Sequence, residues 1–515
     1  MPEIGLRKWI ITGTVILVSM LELIDTSIVN VALPQMMGNL GATLDEITWV
    51  VTAYVVANVI VIPMTGWLSA LMGRRNYLLV SVGVFTASSF LCGNSTGLWE
   101  LVSFRFVQGA AGAALLSTSQ AVLFESWPIE ERGFAAALFG MGVVMGPTIG
   151  PTLGGWITDN YNWPWIFYVN LPVGVVAALL IWAYIRNPAH HEAVERIDWT
   201  GMALLVAGVG ALQILLERGE REDWFESRRM VALAVVGVVG IAAFIWHELR
   251  TPHPIVDLRV MRDRSLAVGT FFTFILGFGL YASVFIFPVF AQNLLGMTAM
   301  QTGLILLPGA LTTAFCMPFI GRILQRGFPP QVLNGGGFFL FFLFTWTLSK
   351  STLASTQGDF FWPLVLRGAG LALLFVPLTA LALGNLHGAD IAQGAGLTNM
   401  MRQLGGSVGV AVMANLITRR EALHRVNLLA HLSIYDPAVR ERLAAMSRAI
   451  AARGHTLVPT VDPAYAALEG TLTRQTYLLS YMDCFLICGV FFLACIPLLV
   501  LFRRVKVRVQ PMGAH

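Results

Sequence analysis

The chain has 515 residues, 56% of them hydrophobic and only 12% charged, with a mean hydropathy of +0.71. Soluble domains carry about 25% charged residues, so a globule of this length would lack the polar surface to cover it, and an ordinary soluble enzyme is excluded. The net charge of +4 demands no nucleic-acid partner, and the five cysteines (Cys92, Cys316, Cys484, Cys488, Cys495) form no CxxC pair, so neither a zinc site nor a disulfide framework is indicated.

Apolar runs of about 20 residues that rarely alternate predict membrane-crossing helices. Fourteen are expected, at 9–33, 48–70, 77–94, 98–122, 134–157, 164–186, 198–216, 230–249, 266–290, 302–324, 331–349, 361–386, 395–418 and 477–502. The first follows Arg7 and Lys8 but is too long for a signal sequence and has no A-x-A cleavage site after it. With both termini inside, the inner loops hold 17 arginines and lysines, against five (Arg218, Arg221, Arg228, Arg229, Lys350) in the short outer loops. That bias predicts cytoplasmic termini. The long outer loop 419–476 is expected to be either partly helical or a solvated spacer. Asp436-Pro437 reads as a helix start, Val439, Leu443, Met446 and Ile450 recur at helical spacing, and Gly454 is placed to close the helix. Asp462-Pro463 repeats the start signal.

Internal repeats organise the chain further. Pro63-x-x-Gly66 returns as Pro318-x-x-Gly321 at an offset of 255, while Gly109-Ala110 and Gly146 return as Gly368-Ala369 and Gly405 at 259. Two homologous six-helix halves are therefore expected, 1–190 and 261–515, with residues 191–260 forming two inserted linker helices. Duplicated halves facing a midplane site are a transporter architecture.

Ionisable residues well inside the spans are few: Glu22, Asp25, Arg105, Arg367, Arg402 and, nearer an end, Asp483. Each costs about 2.5–3.5 kcal/mol at a lipid-facing position, so each is expected to face the interior. Glu22 and Asp25 lie three residues apart on one helical face, where mutual repulsion and desolvation favour proton binding. Asp25 is the expected proton carrier, with Glu22 as a second titrating group. Arg105 shares a stripe with Gln108, Gly109 and Gly112. A fixed cation near a titrating carboxylate couples movement to proton release; a static salt bridge between helices is the simpler alternative. Asn30, Gln108, Arg367, Asn399 and Arg402 are the polar residues expected at the substrate cavity. In span 5, Gly142, Gly146, Gly150 and Gly154 recur every fourth residue with Pro147 and Pro151 between them, giving a face for close packing on a bent helix. After span 2, Gly66, Gly73, Arg74 and Arg75 form a tight inner turn whose arginines can meet helix-end carbonyls.

Together these motifs resemble the major facilitator superfamily, specifically its fourteen-span drug:proton antiporters of the EmrB and QacA type. Leu23-Ile24-Asp25-Thr26-Ser27-Ile28-Val29-Asn30 through Pro34 is similar to that family's first-helix motif, Arg105 with Gln108-Gly109 to its helix 4 motif, and Gly146-Pro147 through Gly154-Gly155 to its antiporter motif. Trp163-Pro164-Trp165-Ile166-Phe167-Tyr168-Val169-Asn170-Leu171-Pro172-Val173-Gly174 and Arg402-Gln403-Leu404-Gly405-Gly406-Ser407-Val408-Gly409 match in kind. The resemblance implies an all-α polytopic fold, proton coupling through Asp25 and Arg105, and gating by the Gly66–Arg75 loop. It also implies drug export across the bacterial inner membrane, and partners such as an EmrA-type periplasmic adaptor and a TolC-type outer-membrane channel. Two departures stand out: Ala70 replaces the acidic residue usual in the gating loop, and Glu22, not a usual part of the first-helix motif, is expected either to add a second titrating group or to bind cationic substrates.

An ATP-driven pump is excluded, because Lys8, Lys350 and Lys506 follow Arg, Ser and Val rather than the glycine that a Walker A loop requires. No HExxH, GxSxG or clustered His/Cys set is present, and His190-His191 sits in a short inner loop. The expectation is therefore no enzyme, no metal and no cofactor, with the proton motive force as energy source. The alternative is a dedicated proton-coupled transporter of one metabolite or fatty acid.

Overall fold

The computed structural model describes residues 5–187, 197–433, 435–451 and 463–504. His190, His191, Arg196, Gly454, Asp462, Lys506 and Arg508 lie outside the described residues. Fifteen long helices are used below: α1 (Leu6–Leu40), α2 (Leu44–Met72), α3 (Arg74–Gly93), α4 (Leu98–Ser126), α5 (Arg132–Asn160), α6 (Trp165–Tyr184), α7 (Trp199–Arg218), α8 (Arg228–Arg250), α9 (Arg264–Val289), α10 (Ala299–Gln325), α11 (Pro330–Leu348), α12 (Phe361–Leu383), α13 (Ala389–Leu429), α14 (Pro437–Ala451) and α15 (Pro463–Cys495). No strand occurs among the described residues.

Twelve of these helices are long and apolar enough to cross a membrane, which makes this a multi-pass membrane protein. The count of fourteen spans rests on α4 and α13 as well. Both are helices at the expected places, but their composition is more polar. The reason is their position: on α4, Arg105, Gln108, Ser117, Thr118, Ser119 and Gln120 are all buried, as are Thr398, Asn399 and Arg402 on α13. These two helices pack against each other at the centre.

Helix packing repeats itself. In the first half α1 packs on α5, α4 and α6, α2 on α4, and α3 on α4 and α6. Eight or nine elements later, α9 packs on α13, α12 and α15, α10 on α12, and α11 on α12 and α15. The repeated glycines explain the match. A Cβ at Gly109 would lie 2.2 Å from the Tyr54 carbonyl oxygen, and one at Gly368 would lie 2.1 Å from that of Gly309. Only glycine lets α4 approach α2, and α12 approach α10, this closely. The halves then meet through α5 on α10 and α2 on α13, the same pairing with the roles exchanged.

The inserted pair α7–α8 lies against α2 and also touches α13. Arg218 at the end of α7 donates to Asp45 (2.7 Å), and Gln213 donates to Ser407 on α13 (2.6 Å).

Loop 419–476 differs from expectation in extent. α13 runs to Leu429 and α15 begins at Pro463, so much of the loop is a continuation of membrane helices. Arg420 and His424 meet Asp483 at 3.5 and 2.9 Å, and Arg425 pairs with Glu469, which ties the two extensions together. The expected helix is present as α14, with Asp436 accepting from the Ala438 N–H at 2.8 Å.

Candidate proton-coupling centre and interior

Asp25 and Arg105 form the centre of the first half. Arg105 Nη1 donates to Asp25 Oδ2 at 2.6 Å, with both side chains essentially inaccessible to solvent. Gln108 Nε2 donates to Asp25 Oδ1 at 3.0 Å, and Asn170 Nδ2 donates to the same oxygen at 2.7 Å. Arg105 also donates to Gln108 Oε1 (2.8 Å) and to the Val50 carbonyl (3.3 Å), and its guanidinium lies 4.1 Å from the centroid of the Tyr54 ring. Asn170 is fixed in turn: it donates to Ser89 Oγ at 3.0 Å, and Ser89 donates to the Phe167 carbonyl at 2.9 Å. Four helices, α1, α3, α4 and α6, thus enclose one carboxylate whose hydrogen-bonding neighbours are all donors.

Helix α5 brings α1 into position. Cβ atoms at Gly142, Gly146, Gly150 and Gly154 would meet Ile16, Leu23, Ser27 and Ile28 in that order, so the four-residue glycine repeat is the surface on which α1 lies. The helix continues through Pro147 and Pro151 without interruption.

Glu22 points to a different place from Asp25. Its Oε1 accepts from Asn58 at 3.4 Å, its Oε2 has no hydrogen-bond partner, and Arg402 of the second half acts on it electrostatically. Arg402 donates to Asn399 Oδ1 at 3.0 Å, and Asn399 reaches back across the interface to Gln120 on α4 at 2.7 Å. Of the five residues expected at the cavity, Asn399 and Arg402 therefore meet the first half. Arg367 is buried in the second half and donates to Ser283 at 3.0 Å. Gln108 belongs to the Asp25–Arg105 cage. Asn30 is exposed and folds back on the Thr26 carbonyl at 3.3 Å, two turns from Glu22.

The expected gating loop sits at the arginine-rich end. Gly73 has φ 80°, the left-handed region that ends α2 and starts α3. Arg74 pairs with Glu125 on α4 and donates to the Gly388 carbonyl of the second half at 3.0 Å, while Arg75 stays in its own half on the Trp182 carbonyl at 2.8 Å. Gly66 faces the Gln393 side chain. Sequence reasoning assigned no site role to Arg132, whose Nη1 donates to the carbonyls of Gly384 and Leu386, both at 2.9 Å, at the end of α12. A cavity of about 910 Å³ opens here, lined by Arg74, Glu125, Arg132, Arg186, His387 and Gln393 among others. Asn170, Ser89, Asn58, Tyr54, Gln120 and Glu125 were also missed. Asn170 stood in a quoted motif and so carried a signal, whereas Tyr54 meets Gly109 and Gly112 only once the helices pack.

Fold and buried ion pair together define a polytopic transporter, and the chain belongs to the major facilitator superfamily: the family model of that description matches residues 15–410. Among curated relatives it is 35% identical over 485 residues to the fatty acid resistance protein FarB of Neisseria gonorrhoeae, covering 94% of each chain. It is 34% identical over 486 residues to the multidrug export protein EmrB of Haemophilus influenzae, covering 94% of this chain and 93% of that one. Over 436 residues, 85% of each, it is 34% identical to the EmrB of Escherichia coli K12. Among solved structures, the human organic anion transporter MFSD10 superposes with a TM-score of 0.59 at 14% identity over 96% of this chain and 99% of that one. A XylE double-tryptophan mutant gives 0.57 at 12%, over 95% and 96%. These two establish the fold alone.

Proposed function

We propose that this chain is a proton-coupled antiporter that exports amphipathic small molecules by alternating access, with Asp25 as the proton carrier and Arg105 as its competing partner. The observation that carries the reading is the sealed Asp25–Arg105 pair, at 2.6 Å, with further donors to the carboxylate from Gln108 on α4 and Asn170 on α6. A buried ion pair adds little net stability, so its value here lies in being broken and remade. When the outer side is open, a proton neutralises Asp25, Arg105 is released and substrate leaves. When the inner side is open, the proton departs and substrate enters. Inward proton movement supplies about 2.3 kcal/mol per 100 mV. Curated relatives named multidrug export proteins support export as the direction.

The further assignments follow from the same reading. The protein is no enzyme and needs no cofactor beyond the proton motive force. It sits in the bacterial cytoplasmic membrane with both termini inside, so the end carrying Arg74 and Arg132 is cytoplasmic. The halves are 1–190 and 261–515, and the extended α13–α15 region lies in the periplasm, where an EmrA-type adaptor and a TolC-type channel would engage. The rival reading, a dedicated transporter of one metabolite or fatty acid, draws on the name of the FarB relative. The test is movement of a fluorescent lipophilic dye in proteoliposomes under an imposed pH gradient. Gradient-driven dye accumulation supports the proposal, whereas indifference of correctly inserted protein to the gradient refutes multidrug antiport and leaves the rival.

A further inference from the structure

The inserted pair α7–α8 stands outside the repeat, yet the end of α7 and the residues just after it are tied to both halves. On one side Gln213 Nε2 donates to Ser407 Oγ at 2.6 Å and to Glu217 Oε1 at 3.0 Å, and Asn415 Nδ2 donates to Glu220 Oε2 at 3.0 Å. Ser407 and Asn415 belong to α13. On the other side Arg218 Nη2 donates to Asp45 Oδ1 at 2.7 Å, and its guanidinium lies 4.6 Å from the centroid of the Trp49 ring. Arg221 Nη1 donates to Thr48 Oγ1 at 2.8 Å. Asp45, Thr48 and Trp49 lie in the first two turns of α2.

The two attachments differ in what their release leaves behind. Gln213 and Ser407 are 0% and 7% exposed, so parting them strands a buried amide and a buried hydroxyl. The Asp45 side chain is 65% exposed and already in water. Arg218 keeps a carboxylate of its own in Glu222, at 3.0 Å, so losing Asp45 leaves no unpaired ion. Midway along α2 the contact with α7 is apolar. Leu205 and Val209 share a buried cluster with Val59, and a Cβ at Gly210 would lie 3.1 Å from Ile60 Cδ1.

We infer that α7 is a clasp across the outer seam of the two halves, fixed to α13 by Gln213 and Glu217, hooked to the start of α2 by Arg218 and Arg221, and that the hook lets go when the outer side opens. The inference rests on the alternating-access reading and its topology, in which the start of α2 is outer. Rocking about the centre moves Val59 and Ile60 little and Asp45 and Thr48 most. The end of α7 therefore parts from α2 while its apolar seat stays in place. The weak, water-exposed hook yields before the buried attachment to α13. Closed, it holds the outer side shut between cycles.

The test is spin-label distance measurement on full-length protein in nanodiscs, at acidic and alkaline pH and with a lipophilic dye. Labels go in pairs on cysteines replacing Asn39 of the first half, Phe225 after α7 and Ala422 of α13, all exposed, with Cys316 replaced by serine. The Asn39–Ala422 pair reports the outer opening and is expected to show a short and a long population. The clasp requires Asn39–Phe225 to split in parallel while Phe225–Ala422 stays single. Arg218→Gln must raise the long Asn39–Ala422 population about two- to fivefold, as loss of an exposed ion pair would. Asp45→Asn, at an exposed position, must act in the same direction and serves if Arg218→Gln does not fold. A split Phe225–Ala422 distribution overturns the inference, because α7 then leaves the second half. So does an unchanged Asn39–Ala422 ratio in both variants. A single Asn39–Ala422 distribution under every condition refutes alternating access and the clasp with it, whereas failure of the clasp alone leaves that pair split.

Discussion

Replacing one member of the Asp25–Arg105 pair should hurt more than replacing both. Arg105→Gln leaves a carboxylate buried between Gln108 and Asn170, whose amide donors at 3.0 and 2.7 Å offset part of the loss. Asp25→Asn leaves a guanidinium with the Gln108 and Val50 oxygens at 2.8 and 3.3 Å and the Tyr54 ring. Stranding one charge of a buried pair costs about 3–5 kcal/mol. Because each remaining ion keeps polar neighbours, we expect the lower end, about 3 kcal/mol, for either single substitution. The double variant Asp25→Asn/Arg105→Gln buries no unpaired charge and should recover most of that loss, while remaining unable to couple protons. Thermal unfolding in detergent is readily followed here, because Cys92, Cys484, Cys488 and Cys495 are buried free thiols that a thiol-reactive dye meets only on unfolding. The expected order of midpoints is wild type, then the double variant, then both single variants. A double variant less stable than either single one would refute the charge-pair reasoning.

The repeat can be tested at its glycines. Gly109→Ala and Gly368→Ala place a methyl group within about 2.2 Å of a carbonyl oxygen. Each should cost on the order of 1–3 kcal/mol, against no loss for Gly13→Ala, whose Cβ would meet nothing within 4 Å; unfolding midpoints check all three. At the arginine-rich end, Arg132→Gln removes the charged donor to the Gly384 and Leu386 carbonyls. A loss of about 2 kcal/mol should raise the open population of that end roughly 30-fold, seen as faster maleimide labelling of a cysteine placed at Gln393. At the opposite end, Arg218→Gln frees Asp45 and Trp49 from α7. Spin labels on α7 and on the α1–α2 turn should then show a broadened distance distribution, and an unchanged distribution would dismiss the contact as decorative.

Much of the site was legible because charge inside an apolar span is rare and costly. Asp25, Arg105, Arg402 and Glu22 stood out for that reason, and the glycine repeats for theirs. What connects them was less readable. Asn170 is a neutral residue inside a quoted motif, and its role appears only when α6 lies beside α1 and brings it to Asp25. Gln108 and Asn30 were both counted as cavity residues from polarity alone. Helix rotation separates them: Gln108 turns into the Asp25 cage, and Asn30 is exposed and bonds the Thr26 carbonyl. The extent of α13 was hidden by Arg419, Arg420, Glu421 and His424, which read as loop. They remain helical because α15 supplies Asp483 and Glu469 as partners.

The most direct test of the account is the reverse of driven export: whether a substrate gradient moves protons. Proteoliposomes containing a pH-sensitive dye in the lumen would be given a lipophilic dye gradient with no initial pH difference. The account predicts proton movement opposite to the substrate in wild type, and none in Asp25→Asn that still binds substrate. Substrate flux with no accompanying proton movement in wild type, or equal proton movement in Asp25→Asn, would contradict it.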